Sequence, residues 1–134
     1  MLYMLDTNIC CYILNKQPSS YYKKLEQLEQ SAASITISSI VLSELQFGVA
    51  NSKFKEQNQT KLNLLMSKLE VLDYSAKCAF FYGNLRADLK KRGIIIGNND
   101  LFIASHAIAE QATLITNNIS EFKRVKELIL ENWD

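Results

Sequence analysis

The chain has 134 residues, 48% of them hydrophobic and 22% charged, which fits one ordinary domain with a core of its own. Its 15 basic and 14 acidic residues leave a net charge of +1, which neither demands nor excludes a nucleic-acid partner. No apolar run approaches the roughly 18–20 residues of a membrane span. Asp6 also interrupts the first apolar run, with no basic segment before it. Neither a membrane anchor nor a signal peptide is expected, and the protein is read as cytoplasmic.

In chain order, "LYML" reads as a short buried strand that stops at Asp6, and "TNICCYILN" as a helix behind it. Pro18 breaks the pattern, and "SSYYKKLEQLEQS" then carries Tyr22, Leu25 and Leu28 at helical spacing. "SITI" (34–37) is a second strand, followed by a helix over "SSIVLSELQFGVANS" with Ser38 or Ser39 as its cap. "NQTKLNLLMSKLE" (58–70) is an amphipathic helix and "VLDY" (71–74) a third strand. "SAKCAFFYGNLRADLKKRG" (75–93) is a long helix closed by Gly93. "GNNDLFIASHAIAEQ" (97–111) is another helix, and "TLIT" (113–116) a fourth strand. "EFKRV" is a brief turn or helix, and "LILENW" (128–133) a last strand. Short apolar strands alternating with helices predict a single α/β domain over residues 1–134, its mostly parallel sheet covered on both faces. Right-handed crossovers would gather the loops that follow the strands on one edge.

Four acids stand out because their surroundings are apolar: Asp6 at a strand end, Glu44 in "VLSELQFG", Asp100 in "GNNDLFIA" and Glu121 after the fourth strand. Glu26, Glu29, Glu56, Asp88, Glu110, Glu127 and Glu131 have polar neighbours and read as surface. Singly each has an ordinary reading: a helix cap for Asp6, an outward face for Glu44 and a first-turn acid for Asp100, with Glu121 the weakest of the four. Together they would repel one another unless a cation neutralised them, and Mg²⁺ or Mn²⁺ suits an all-oxygen donor set. Asp6 is then read as a metal ligand at a sheet edge, with helix capping left to Thr7 and Asn8.

No Cys/His constellation for a softer metal is expected. Cys10, Cys11 and Cys78 have no C-x-x-C spacing and read as small buried hydrophobes, and His106, the single histidine, as a packing or hydrogen-bonding residue. A carboxylate-held Mg²⁺ or Mn²⁺ suits phosphoryl chemistry. The basic clusters "RADLKKRG" (86–93) and "FKRVK" (122–126) gain interest beside such a site, with Arg86, Lys90, Lys91 and Arg92 as candidates for holding a nucleic-acid backbone. A phosphatase with Asp6 as nucleophile is disfavoured, because Asn8 stands where such enzymes want a second acid and no phosphate-cradling glycine motif is present.

"MLDTN", "SSIVLSELQFGV", "GNNDLFIASHA" and "LITNNISEF…ENW" resemble, in order and spacing, the PIN-domain ribonuclease toxins of the VapC type, over essentially the whole chain. The resemblance implies a PIN-like three-layer α/β/α sandwich and an acidic Mg²⁺ or Mn²⁺ site. It implies a toxin–antitoxin module with a VapB-type antitoxin in the active-site groove, a homodimer, and promoter DNA reached only through the antitoxin. Substrates in the family are structured RNAs, commonly the anticodon stem-loop of initiator tRNA, in other members a loop of large ribosomal RNA. By motif, Asp6 and Asp100 match the metal-binding aspartates, and Glu44 the acid of the third helix. Where many relatives have a fourth aspartate, this chain has Asn117 and Asn118, so the fourth role falls to Asn118 or to Glu121. A PIN-like protein without turnover, binding RNA or only an antitoxin, is the alternative. Part of the apolar surface of the early helices (Cys10, Cys11, Tyr12, Ile13, Tyr21 and Tyr22) could form a groove for an antitoxin helix or a dimer face.

Overall fold

The computed structural model describes residues 1–133. The first half of the chain runs β1 (Leu2–Leu5), α1 (Thr7–Asn15), α2 (Ser19–Glu29), β2 (Ser34–Ser38), α3 (Ser39–Ala50), α4 (Lys55–Met66) and β3 (Glu70–Leu72). The second half runs α5 (Ala76–Lys91), α6 (Asn98–Ala109), β4 (Thr113–Ile115), α7 (Ile119–Phe122) and β5 (Ile129–Glu131). The five strands form one sheet in the order β3-β2-β1-β4-β5, and every pair is parallel. No helix among the described residues is long and apolar enough to cross a membrane.

The central position of β1 explains its composition. Its neighbours are β2 and β4, with Met4 opposite Thr36 and Leu114, and helices cover both faces. A strand buried on both sides cannot alternate polar and apolar residues, so Met4 and Leu5 point to opposite faces and are both fully buried. The outer strands β3 and β5 carry Glu70 and Glu131, charges that suit exposed edges.

Chain order and strand order part company at β1. The chain steps outward from β1 to β2 to β3, then crosses back to β4 on the other side of β1. Right-handed crossovers put α1–α4 on one face and α5–α7 on the other. The packing follows this: α1 meets α2, α3 and α4, α5 lies along α6, and α3 and α6 meet across the two layers. Such a reversal opens a crevice beyond the carboxyl ends of the central strands. Asp6 and Thr116 follow β1 and β4 directly.

Element ends depart from the sequence pattern for identifiable reasons. β3 starts at Glu70 and stops at Leu72, and Tyr74 gives its N–H to Ser39 Oγ (3.0 Å) instead of the ladder. α4 begins at Lys55, ahead of the amphipathic stretch, and the 119–122 turn of helix precedes most of "EFKRV". α5 ends where a glycine was expected to end it. Gly93 has φ +69°, and crossed bonds run from Gly93 N to Lys90 O (3.1 Å) and from Ile94 N to Leu89 O (2.9 Å).

A Cβ at Gly93 would meet no atom within 4 Å, so the only penalty for a side chain there is the left-handed backbone. Gly93→Ala should therefore cost about 1 kcal/mol. The check is a lowered denaturant midpoint with an unchanged m-value.

Candidate active site

Asp6 is 5% exposed. Its backbone N–H is still in the sheet, donating to Ile115 O (3.1 Å), while its side chain already serves α1, with Oδ1 accepting from Ile9 N (3.0 Å). Asp6 is thus the N-cap of α1, and the assignment of that role to Thr7 and Asn8 is corrected. Thr7 turns outward from the cap and donates to Glu44 Oε1 at 2.8 Å, tying α1 to the middle of α3. Burial pushes the Asp6 carboxyl up from its ordinary value, and the negative charge of Glu44 adds to the rise. The Thr116 hydroxyl and the N–H groups of Ile9 and Asn8 pull it back.

The second half of the site lies across the crevice. Asp100 sits in the first turn of α6, and Glu121 in α7. Asn118 donates through Nδ2 to Glu121 Oε2 (2.7 Å), and Gly97 N donates to Glu121 Oε1 (3.4 Å), which turns that carboxylate towards the start of α6. Arg124 lies 3.9 Å from the same carboxylate, but its guanidinium also donates to the carbonyls of Glu121 (3.2 Å) and Ile95 (3.2 Å). Burial pushes Asp100 up to about 7, together with its hydrogen bond to Glu121 and the charges of Glu121, Asp6 and Glu44. Asn117 is exposed and turned away, donating to the Tyr12 hydroxyl (2.9 Å).

Asp6, Glu44, Asp100 and Glu121 therefore share one electrostatic neighbourhood with too much negative charge for its burial. A hard divalent cation fits this donor set. Among the described residues no three of these acids bring their oxygens within 4.8 Å of one another. Mg²⁺ keeps several of its own waters and so needs few protein ligands.

The basic candidates on α5 separate into different situations. Arg86 and Lys90 line a groove with Gly93–Ile96, Asn98 and Leu101, beside the first turn of α6. Lys91 is exposed on α5. Arg92 is engaged within the protein, by Asp88 Oδ2 (2.8 Å) and by the carbonyl of Arg124 (2.8 Å).

Sequence reasoning missed Thr7 and Thr116, the two hydroxyls that hold Glu44 and Asp6, although each lies within two residues of a strand end. It also missed a Cys/His group. Cys78, His106 and Glu110 bring their ligand atoms within 4.8 Å of one another, although Glu110 read as surface and no such constellation was expected.

Asp100 makes the site's cost measurable. Its folded-state value, about 7, lies above the ordinary 3.8, so between those values the folded chain holds a proton the unfolded chain has released. Stability without divalent cation must therefore fall as pH rises through that window. Asp100→Asn should melt higher than the unsubstituted protein at about pH 8 and lose that advantage at about pH 4. Thermal melts in chelator at both pH values check this, and added Mg²⁺ should narrow the gap at the higher pH.

A PIN-domain family model matches residues 3–128. The "Ribonuclease VapC2" of Rickettsia felis is 66% identical over 134 residues, covering 100% of this chain and 99% of the relative. The "tRNA(fMet)-specific endonuclease VapC" of Shigella flexneri is 37% identical over 131 residues, covering 98% of this chain and 97% of the relative. Among solved structures, a chain of VapBC2 from Rickettsia felis bound to a DNA fragment from their promoter superimposes with a TM-score of 0.94, at 65% identity and full coverage of both chains. The acidic crevice at the reversal of the sheet is thus built on a recognisable framework: the chain belongs to the PIN-domain family, and within it to the VapC-type nucleases.

Proposed function

We propose that the protein is the toxin of a toxin–antitoxin pair and acts as a Mg²⁺- or Mn²⁺-dependent endoribonuclease on structured RNA, with tRNA, initiator tRNA above all, as the favoured substrate. The observation that carries this reading is the charge surplus around Asp6 and Asp100 at the carboxyl ends of the central strands. The tRNA preference is supported by the Shigella flexneri relative, whose name states tRNA(fMet) specificity.

In this reading Asp6 and Asp100 hold the cation. A divalent ion bound there would polarise the phosphodiester, help deprotonate the attacking water and stabilise the leaving oxygen. Glu44, oriented by Thr7, lines up the water and takes its proton. The charge of the fourth acidic position comes from Glu121. Asn118 contributes by holding Glu121 through its amide, so a neutral side chain serves at the position where the family resemblance implies an aspartate. Arg86 and Lys90 hold RNA phosphates along the groove beside α6, and exposed Lys91 adds long-range attraction. Arg92 acts by fixing the end of α5 against Arg124.

A VapB-type antitoxin is the expected partner, since the Rickettsia felis neighbour is a VapBC complex on promoter DNA. A cavity of about 420 Å³ between α1, α2 and α4 supports this, with Leu14, Tyr22 and Leu64 as the apolar surface open to a partner helix and Lys16, Lys61 and Lys68 as its polar lining. Tyr21, Ile13 and Cys10 are buried in the core, so only part of the apolar surface of the early helices remains for such contacts. A homodimer in the cytoplasm, meeting promoter DNA only through the antitoxin, completes the reading.

Asparagine is as good an N-cap as aspartate. Asp6→Asn therefore keeps α1 capped while removing the charge, and separates the two roles of this side chain. Asp6→Asn or Asp100→Asn should lower RNA cleavage by about 100-fold or more with the circular dichroism spectrum unchanged. Undiminished cleavage by either variant, or by the unsubstituted protein in chelator, would overturn the metal-dependent reading. Absence of cleavage by the unsubstituted protein with Mg²⁺ or Mn²⁺ supplied would favour an RNA- or antitoxin-binding protein instead. Replacing Arg86 and Lys90 together by Ala should raise KM, leave kcat nearly unchanged, and flatten the salt dependence of RNA binding by up to about two in log–log slope.

A further inference from the structure

We propose that Cys78, His106 and Glu110 form a second metal site, suited to Zn²⁺ and separate from the acidic crevice, that clips α5 to α6. The three residues come from the first turn of α5, the last turn of α6 and the C-cap of α6. Their ligand atoms, a thiol sulfur, a ring nitrogen and a carboxylate oxygen, all lie within 4.8 Å of one another. Among the described residues no other group of three His, Cys, Asp or Glu side chains is so close.

An independent observation comes from His106 itself. The ring is fully buried, and Nδ1 lies 2.7 Å from Ser38 Oγ, but Nε2 has no hydrogen-bond partner. Buried ring nitrogens are normally satisfied, and one left bare calls for an ion or another partner. Ser38 Oγ already accepts from Ile40 N (3.1 Å) as the cap of α3, and it has a second lone pair to accept the Nδ1–H. With the proton on Nδ1, the Nε2 lone pair is the free one, which is the arrangement of a metal-ligating histidine steered by a second partner. The Tyr74 ring meets the His106 ring edge-on at 5.5 Å and restricts its rotation.

The donor chemistry names the class of ion. Sulfur, imidazole nitrogen and one carboxylate are the ligands of Zn²⁺, whereas Mg²⁺ takes oxygen ligands. Ser75 Oγ lies 3.6 Å from Cys78 Sγ and can support the thiolate. Cys78 and His106 are fully buried, and Glu110 is only half buried, so the carboxylate is the movable ligand that closes on an entering ion. Three protein ligands on a tetrahedral ion leave one position for water.

Co²⁺ is the probe, because a thiolate ligand gives it a charge-transfer absorption that no carboxylate gives. The full-length chain, stripped with chelator, is titrated with Co²⁺. The thiolate band should saturate at one equivalent, disappear on adding Zn²⁺ and resist excess Mg²⁺. It should persist in Asp6→Asn and in Cys11→Ser, which removes the half-buried thiol that feels the charges of Asp6 and Glu44. It should vanish in Cys78→Ser, and Glu110→Gln should weaken Co²⁺ binding by at least about tenfold. Glu110 is partly exposed, so its variant tests the site even where Cys78→Ser fails to fold. No thiolate band in the unsubstituted protein, a band that survives Cys78→Ser, unchanged affinity in Glu110→Gln, or loss of the band in Asp6→Asn would overturn the proposal. None of these readouts uses RNA cleavage, so they leave the nuclease reading to its own assay.

Discussion

The 3.0 Å hydrogen bond from Ile9 N to Asp6 Oδ1 is the contact from which the acidic site is organised. It joins the end of the central strand to the start of α1, so the carboxylate cannot swing out to solvent without uncapping a helix. Its burial raises the energy of the charged form, and the Thr116 hydroxyl and two backbone N–H groups offset part of that rise. In the proposed reading one side chain serves both the fold and the chemistry, and its cap bond holds it in place with no ion bound. The crevice is thereby pre-organised.

Around Asp6 the sheet reversal does the gathering. β1 and β4 are neighbours in space although most of the chain lies between them, and α6 and α7 flank β4 in sequence. Glu44 arrives from the opposite helical layer, and Thr7 links it to the strand end. Each acid is thus set by a different element, and their repulsion is relieved only in part by protein donors. Asp100, pushed up to about 7, carries most of the remaining stress. In the proposed reading, this arrangement trades stability of the empty site for affinity towards a cation.

Helix α6 links two donor chemistries. Its first turn presents Asp100 to an all-oxygen site, and its last turn and cap present His106 and Glu110 to Cys78. Hard and borderline cations would thus have separate places on one helix, and clipping its far end to α5 would steady the end that bears Asp100.

The elements and their class are written in local signals along the chain. Alternating apolar strands and helices, the Gly93 stop and acids embedded in apolar stretches are local signals, readable because burial on both faces of a parallel sheet leaves near-continuous apolar runs. Asp6, Glu44, Asp100 and Glu121 were legible for the same reason. Tertiary structure alone decided how their roles divide. Nothing in "DTN" says that Asp6 caps the helix while Thr7 reaches Glu44, since the choice depends on where α3 lies. Nothing in "TNNISEF" says that Asn118 holds Glu121, because a turn of backbone must first bring them together. The Cys78, His106 and Glu110 group was invisible, since no spacing rule spans two helices whose contact is made only by packing. Arg92 read as a candidate for holding a nucleic-acid backbone until the fold set it against Asp88 and the carbonyl of Arg124.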